Sequence, residues 1–515
     1  MAEPALNLTT RDSEITLSIS SEKEKNLLEK LRGTHTEELV IGLCGFIGTN
    51  IDIVSKTISK VLREQYNYEV VEIKLSELIK KFGEPNLDAL DNKYDRYRKL
   101  IDEGNRLRSV HNESILAELA INEISVNREL SKADDLNFSS KRVCFLINSI
   151  KHKDELELFK LIYSDLFYSF GLFSSYDERK KRLIHSGIEE ENVISLMNQD
   201  IGEKIKNGQH VYDTFVLSDF FLRFDSDSTA NLEEKLKRYF NLIFQSDIVT
   251  PSSDELAMYA ANSASGNSAC LSRQVGASIT DEKGNILSLG WNDVPKFGGG
   301  VYNFDVNDYL SSKDHRCIHK EGGKCFNDEE KDLITISLVK TLMSENLITE
   351  ENKVKAIKVI KDSKIKQLIE FSRAVHAEMS AIINAGITGG NKIIGGKLYC
   401  TTYPCHNCAR HIVAAGIKEV YYIEPYRKSL AIKLHDDSIT ENETETGKLR
   451  LLMFEGVSPK RYLDFFKMTS QRKDSKGKKI DVHKDKIFPK KTLSLQSIPK
   501  LEKEVTENLI SRKII

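Results

Sequence analysis

The sequence predicts an α/β protein of two domains, and three observations carry that prediction. A run of buried-strand composition at 38–43 passes into the glycine-rich turn Gly42-Leu43-Cys44-Gly45-Phe46-Ile47-Gly48-Thr49-Asn50 and then into an amphipathic helix. Strand and helix patterns alternate from there to about residue 245, which implies a largely parallel sheet covered on both faces. After Thr250-Pro251 the texture changes, and a hairpin pattern leads to His376-Ala377-Glu378 and Pro404-Cys405-His406-Asn407-Cys408. At 515 residues the chain also exceeds what one core usually supports.

Residues 1–35 are polar and read as a flexible arm leading into a short helix. The first domain is placed at 36–245. Its opening unit is a strand, the glycine turn, a helix with Ile53, Ile58, Val61 and Leu62 on its apolar face, and a second strand at 68–73. A helical pattern with interspersed basic residues follows at 94–130 and reads as a lid or a solvated face. Strands are expected again at 142–148, 166–173 and 211–217.

Gly42, Gly45, Gly48, Thr49 and Asn50 set backbone N–H groups and a helix N-terminus where a phosphate binds in other folds. The loop resembles the P-loop of nucleotide and nucleoside kinases, so the first domain is expected to be a P-loop kinase-like parallel sheet. A Walker A motif has Lys followed by Ser or Thr where this chain has Thr49 and Asn50. Without that lysine the clamp on the outer phosphates is missing, and ordinary phosphoryl transfer is not expected. A dinucleotide fold with Glu72 on the ribose and a simple tight turn both remain open as readings of the loop.

The second domain is placed at 250–470. It begins with a small-residue helix at 258–268, then a strand ending near Ile279, a turn at 281–285 and a partner strand at 286–292. An insertion spans 298–372, and the residues from 471 to 515 read as a mobile, Lys-rich tail. Further strands are expected at 397–401, 418–423 and 454–457.

One imidazole and two thiolates, His376, Cys405 and Cys408, form a three-donor zinc set that leaves the fourth position open. Such an ion polarises water enough to make hydroxide accessible near neutral pH. Glu378 lies two residues from His376, off that residue's helix face, and is better read as the proton shuttle than as a ligand. The bland alternative is a structural zinc clasp, which would want a fourth protein ligand. Tyr426 follows the 418–423 strand and borders a base pocket by stacking, or else is an ordinary packed aromatic.

The order Ser272-Arg273-Gln274-Val275-Gly276-Ala277, Gly290-Trp291-Asn292-Asp293-Val294-Pro295, His-Ala-Glu and Pro-Cys-x-x-Cys-Ala resembles the deoxycytidylate deaminases. That resemblance implies a three-layer α/β/α cytidine deaminase-like domain, with Asn292 at the sugar of a bound nucleotide and Arg273 near its phosphate. On the residues alone, Asn292 reads equally as a turn residue and Arg273 as a surface charge. Deoxycytidylate deaminases sometimes carry an extra structural zinc. His315, Cys317, His319 and Cys325 within the insertion are either such a closed site or loop residues without a metal.

A kinase-like domain followed by a deaminase-like domain resembles the bacterial anti-phage dCTP deaminases. The resemblance implies deamination of dCTP and dCMP, loss of dCTP as a defence, repression by a small RNA and homo-oligomerisation. The competing readings are a tRNA or DNA base deaminase and a non-catalytic nucleotide-sensing scaffold.

A net charge of −2 argues against a large basic nucleic-acid surface. Apolar runs such as Val143-Cys144-Phe145-Leu146-Ile147 are too short to cross a bilayer, and a cytoplasmic protein without a membrane partner is expected. Eight cysteines are too sparse for a disulfide scaffold, which suits reduced thiolate ligands.

Overall fold

In this computed structural model the described residues are 34–84, 92–130, 140–201, 208, 210–225, 229–310, 313–425, 429–482, 487–495 and 497–515. Tyr426 and nearly all of the expected arm lie outside them. Two six-stranded, parallel-dominated sheets organise the chain.

The first sheet contains β1 (Leu39–Gly45), β2 (Glu69–Lys74), β3 (Val143–Asn148), β4 (Phe167–Phe173) and β5 (Phe220–Arg223). All five run parallel in the order β5-β4-β1-β3-β2. Every residue of β1 is buried, as a central strand covered on both faces requires. Helix α1 (Ile51–Tyr66) turns Val54, Ile58, Val61 and Leu62 into the core beneath β1.

The expected strand at 211–217 is corrected. Val211–Phe215 is a short helix, and the strand is the Phe220-Phe221-Leu222 run that follows it. Asp219 fixes that register, because its carboxylate accepts the Ser169 backbone N–H and hydroxyl, each at 2.8 Å.

The second sheet has β6 (Gly276–Thr280), β7 (Ile286–Trp291), β8 (Lys397–Thr402), β9 (Glu419–Glu424), β10 (Ile439–Thr440) and β11 (Leu449–Met453). Its order is β10-β11-β9-β8-β6-β7, with β6 antiparallel to both neighbours and the other pairs parallel. Helix α2 (Ser253–Ser265) and helix α3 (Ala377–Thr388) pack against this sheet. The alternation along β6 separates them, since Ala277 and Ile279 join the α3 cluster while Ser278 donates its hydroxyl to Ala257 O.

Two glycines permit that packing. A Cβ on Gly276 would lie 1.9 Å from Ala261 O, and one on Gly290 would lie 2.3 Å from both Ala377 O and Ala381 N. Only a bare backbone lets the helices approach the sheet this closely.

The two sheets are joined. Strand β12 (Gly456–Val457) pairs antiparallel with Phe220 and Phe221 at the edge of the first sheet. Phe46, Phe215 and Phe221 share one apolar cluster with Ala257, Met258, Tyr399 and Phe454.

The expectation of a mobile tail is also corrected. Residues Ile498–Ser511 form helix α4, which packs on helix Ile115–Leu130 of the first domain. Ile498, Leu501, Val505 and Leu509 fall at helical spacing and meet the first domain's core, a pattern masked in composition by the surrounding lysines. Glu502 on the same helix is fully buried and accepts from Arg128 Nε at 2.9 Å and from Tyr163 OH at 3.0 Å.

Candidate active site

Helix N-termini build the metal centre. His376 is the N-cap of α3, and Cys405 is the N-cap of helix α5 (His406–Ala414), where its sulfur accepts the Cys408 N–H at 3.4 Å. The positive ends of both helices therefore face the donors, which favours thiolates there. His376 Nδ1 lies 3.4 Å from Cys405 Sγ and 3.3 Å from Cys408 Sγ.

Among the described residues this is the one group of three or more His, Cys, Asp or Glu donors gathered within 4.8 Å. One nitrogen and two sulfurs converging on a common point fit a zinc ion with one position left for a non-protein ligand. Glu378 is outside the donor group, as its i+2 offset from His376 predicts.

Hydrogen bonding from Cys408, helped by His376, pulls the Cys405 thiol down to about 4 despite burial. The Cys405 partner and burial hold Cys408 well above its ordinary range. The hydrogen bond to Cys405 lifts His376 to about 9. Glu378 is 4% exposed in the first turn of α3, and burial raises its carboxyl pKa against the pull of His376.

A cavity of about 600 Å³ opens onto His376, Glu378 and Cys405 and is bordered by Arg273 and Asn292. Asn292 braces its own loop, with Oδ1 accepting the Val275 N–H and Nδ2 donating to Arg273 O, both at 2.8 Å. Its place on the wall is thereby fixed. Arg273 is half-exposed and only loosely paired, 3.7 Å from Glu424. Tyr426 lies outside the described residues.

The expected second metal set does not assemble. His315 is edge-on to Tyr302, and its carbonyl accepts from Arg373 at 3.2 Å. His319 Nε2 sits 3.5 Å from Asp314 and its ring lies against Tyr309. Cys317 and Cys325 line a small cavity with Cys270, a thiol the sequence reading passed over. Arg373 donates to Cys317 Sγ at 3.8 Å, and Cys325 Sγ is 3.4 Å from the Ser272 hydroxyl. Among the described residues these four do not gather as a donor group.

The amino-terminal glycine loop is packed with the chain's own groups. Asp200 accepts the Ile47 N–H at 2.6 Å and Lys151 at 2.8 Å, while Lys151 also donates to Gly45 O at 2.7 Å. Arg179 and Arg182 donate to Ile47 O and Gly48 O, each at 3.4 Å. Gly48 has φ +81° and presses on Arg179, where a Cβ would lie 2.8 Å from the arginine carbonyl. Asn50 caps α1 by accepting the Ile53 N–H, and the Thr49 hydroxyl is buried without a partner. The loop thus carries Gly42, Gly45, Gly48, Thr49 and Asn50 from the end of β1 into α1, with an internal carboxylate on the Ile47 N–H.

Residues 251–424 match the family described as cytidine and deoxycytidylate deaminase zinc-binding region. The chain is similar to ComE operon protein 2 of Bacillus subtilis (strain 168), 45% identical over 56 residues, which are 11% of this chain and 29% of that protein. It is 28% identical over 167 residues to the deoxycytidylate deaminase of Enterobacteria phage T2, covering 32% of this chain and 76% of the relative. Among solved structures, the dCMP deaminase from the cyanophage S-TIM5 in complex with dCMP and dUMP aligns at 22% identity and a TM-score of 0.24, over 40% of this chain and 99% of that one. Residues 251–424 thus carry the zinc-binding region that the family model describes, and within it His376, Cys405 and Cys408 form the three-donor cluster that fits Zn2+.

Proposed function

We propose that the protein deaminates deoxycytidine nucleotides, converting dCTP and also dCMP to the deoxyuridine nucleotides. The observation that carries this reading is a buried Glu378 beside a three-donor zinc set, at the end of a cavity large enough for a nucleotide and bordered by Arg273 and Asn292. When bound, Zn2+ supplies the Lewis acidity that makes hydroxide accessible near neutral pH.

The remaining work belongs to Glu378. Its carboxylate takes one proton from the attacking water and delivers it to N3 of the cytosine ring as a C4–O bond forms. The proton of the new C4 hydroxyl then passes through the same carboxylate to the exocyclic nitrogen; the C4–N bond breaks, ammonia leaves, and C4=O forms while N3 keeps its hydrogen. Burial suits this cycle, because a raised pKa brings the carboxyl nearer to the pH at which it must both accept and donate. Asn292 orients the sugar through a side chain held still by Val275 and Arg273, and Arg273 meets the first phosphate.

The order of the two domains supports a place among the anti-phage dCTP deaminases, in which dCTP loss starves phage replication. With that role we propose a cytoplasmic homo-oligomer repressed by a small RNA. A phosphate or nucleotide at the glycine loop would have to displace Asp200 from the Ile47 N–H.

Incubating the zinc-loaded protein with dCTP, dCMP, dATP, single-stranded DNA and transfer RNA tests the reading through ammonia release and chromatography of the products. Deoxyuridine nucleotides from dCTP and dCMP are expected. Turnover confined to a nucleic acid or to adenine, or no turnover of any substrate, would refute it.

A further inference from the structure

We infer that the insertion forms a clamp for the outer phosphates of the substrate, with Lys331 and Lys366 reading triphosphate over monophosphate. This rests on the deaminase reading of the cavity. Helix Phe326–Ser344 and the Lys364–Gln367 turn both come from the insertion, yet Lys331 and Lys366 line the same cavity as His376 and Glu378. The Asn327 amide ties the two segments together by donating to Leu368 O at 3.2 Å, and Lys331 Nζ reaches Lys366 O at 3.4 Å.

The charge distribution gives the substrate a direction. Arg273, Lys331 and Lys366 are the cavity's Lys and Arg side chains, and its acidic side chains are Glu378 at the metal end and Asp328 on the insertion. A cytosine ring placed at Glu378 leaves its phosphate tail to run toward the cations. Arg273 on the deaminase body meets the first phosphate, and the two lysines of the insertion face the phosphates beyond it.

Both lysines are held but not sequestered. The Lys331 side chain is 14% exposed, so its stem is packed while its ammonium stands 3.3 Å from an Asp328 that is 68% exposed. Lys366 pairs with Asp362 at 3.2 Å, with both side chains more than half exposed. The Lys366 pair, exposed on both sides, is worth at most about 1 kcal/mol, and the Lys331 pair has an exposed carboxylate that can turn to solvent, so an incoming polyphosphate can take the place of both. A monophosphate ends before the lysines and leaves them in those pairs.

Lys331→Gln, Lys366→Gln and the double variant, in the full zinc-loaded chain, test the clamp through kcat/KM for dCTP and dCMP. The ratio of dCTP to dCMP efficiency should fall about tenfold for each lysine, the loss expected for one charge-assisted contact. Lys331→Arg should restore most of it. An unchanged ratio, or equal losses on both nucleotides, overturns the clamp. Calorimetric binding of dCTP and dCMP to Glu378→Gln protein, with and without the lysine changes, separates the two claims. If the parent releases no ammonia from either nucleotide, the deaminase reading fails, while a selective loss of dCTP binding would still uphold the clamp and an unselective result would end it.

Discussion

The Asp200 carboxylate accepts the Ile47 backbone N–H at 2.6 Å, filling with an internal anion the turn that a phosphate would occupy in a nucleotide-binding loop. Lys151 closes the arrangement by bonding both Asp200 and Gly45 O. Asp200→Ala should therefore destabilise the first domain by about 1–3 kcal/mol, because it leaves a half-buried ammonium and a loop N–H without their acceptor. Urea unfolding followed by circular dichroism reads this directly. A variant as stable as the parent would show that the carboxylate contributes nothing to the turn.

At the metal centre, two substitutions should fail in different ways. Glu378→Ala should keep stoichiometric zinc and lose deamination by about 10²–10⁴-fold, since only proton transfer is removed. Cys405→Ala should lose the metal, which elemental analysis of the purified protein detects. Zinc retained in the second variant, or turnover retained in the first, would reassign those residues.

Gly290 sets how closely the helix bearing Glu378 approaches the sheet. With Ala377 O and Ala381 N only 2.3 Å from an added Cβ, Gly290→Ala must push the start of α3 outward. A shift of about 1 Å at a reacting group can cost about 100-fold. The expected outcome is a drop in kcat of that order in a protein that still folds, checked by steady-state kinetics beside near-ultraviolet circular dichroism. Full activity would mean that the helix is free to slide.

The parts of the molecule differ in how visible they were in the sequence. The metal centre was legible because His376 and Glu378 open one helix and Cys405 and Cys408 another, where i, i+2 and i, i+3 spacings translate directly into geometry. The glycine turn was legible as a turn, but not as an occupied one, since Asp200 lies some 150 residues away and no local pattern announces it. Lys331 and Lys366 carry no local signal of a site, because only tertiary folding of the insertion brings them to the cavity. Likewise the apolar face of α4 was diluted by lysines in a composition window, and the 211–217 run was apolar enough for strand or helix. Short apolar runs do not distinguish the two.

The C-terminal helix should matter to the first domain in proportion to its buried ion pairs. Arg128 is shared between Glu38, with Oε2 at 2.5 Å from Nη1, and Glu502, with Oε2 at 2.9 Å from Nε. Glu502→Ala strands part of a buried guanidinium and should cost about 3 kcal/mol in urea unfolding. A change below about 0.5 kcal/mol would indicate that Glu38 alone satisfies the arginine.

Acid sensitivity should arise in part at His152. Its Nδ1 accepts the Asp154 N–H at 3.3 Å to cap the helix Lys153–Tyr163, a bond that requires the unprotonated ring. Burial, reinforced by Arg108 and His210 and opposed by Glu155 and Asp154, lowers its pKa below the ordinary 6.5. Below pH 6.5 the unfolded chain therefore binds a proton that the folded protein refuses, and the stability given by His152 is lost as the pH falls from 6.5 toward its depressed folded value. Above 6.5 both states hold the ring neutral and the contribution is level. His152→Asn keeps a capping acceptor without a titrating group, so its urea midpoint should decline less than the parent's between pH 7.5 and about pH 5.5. Parallel declines in the two proteins would place the acid sensitivity in other groups.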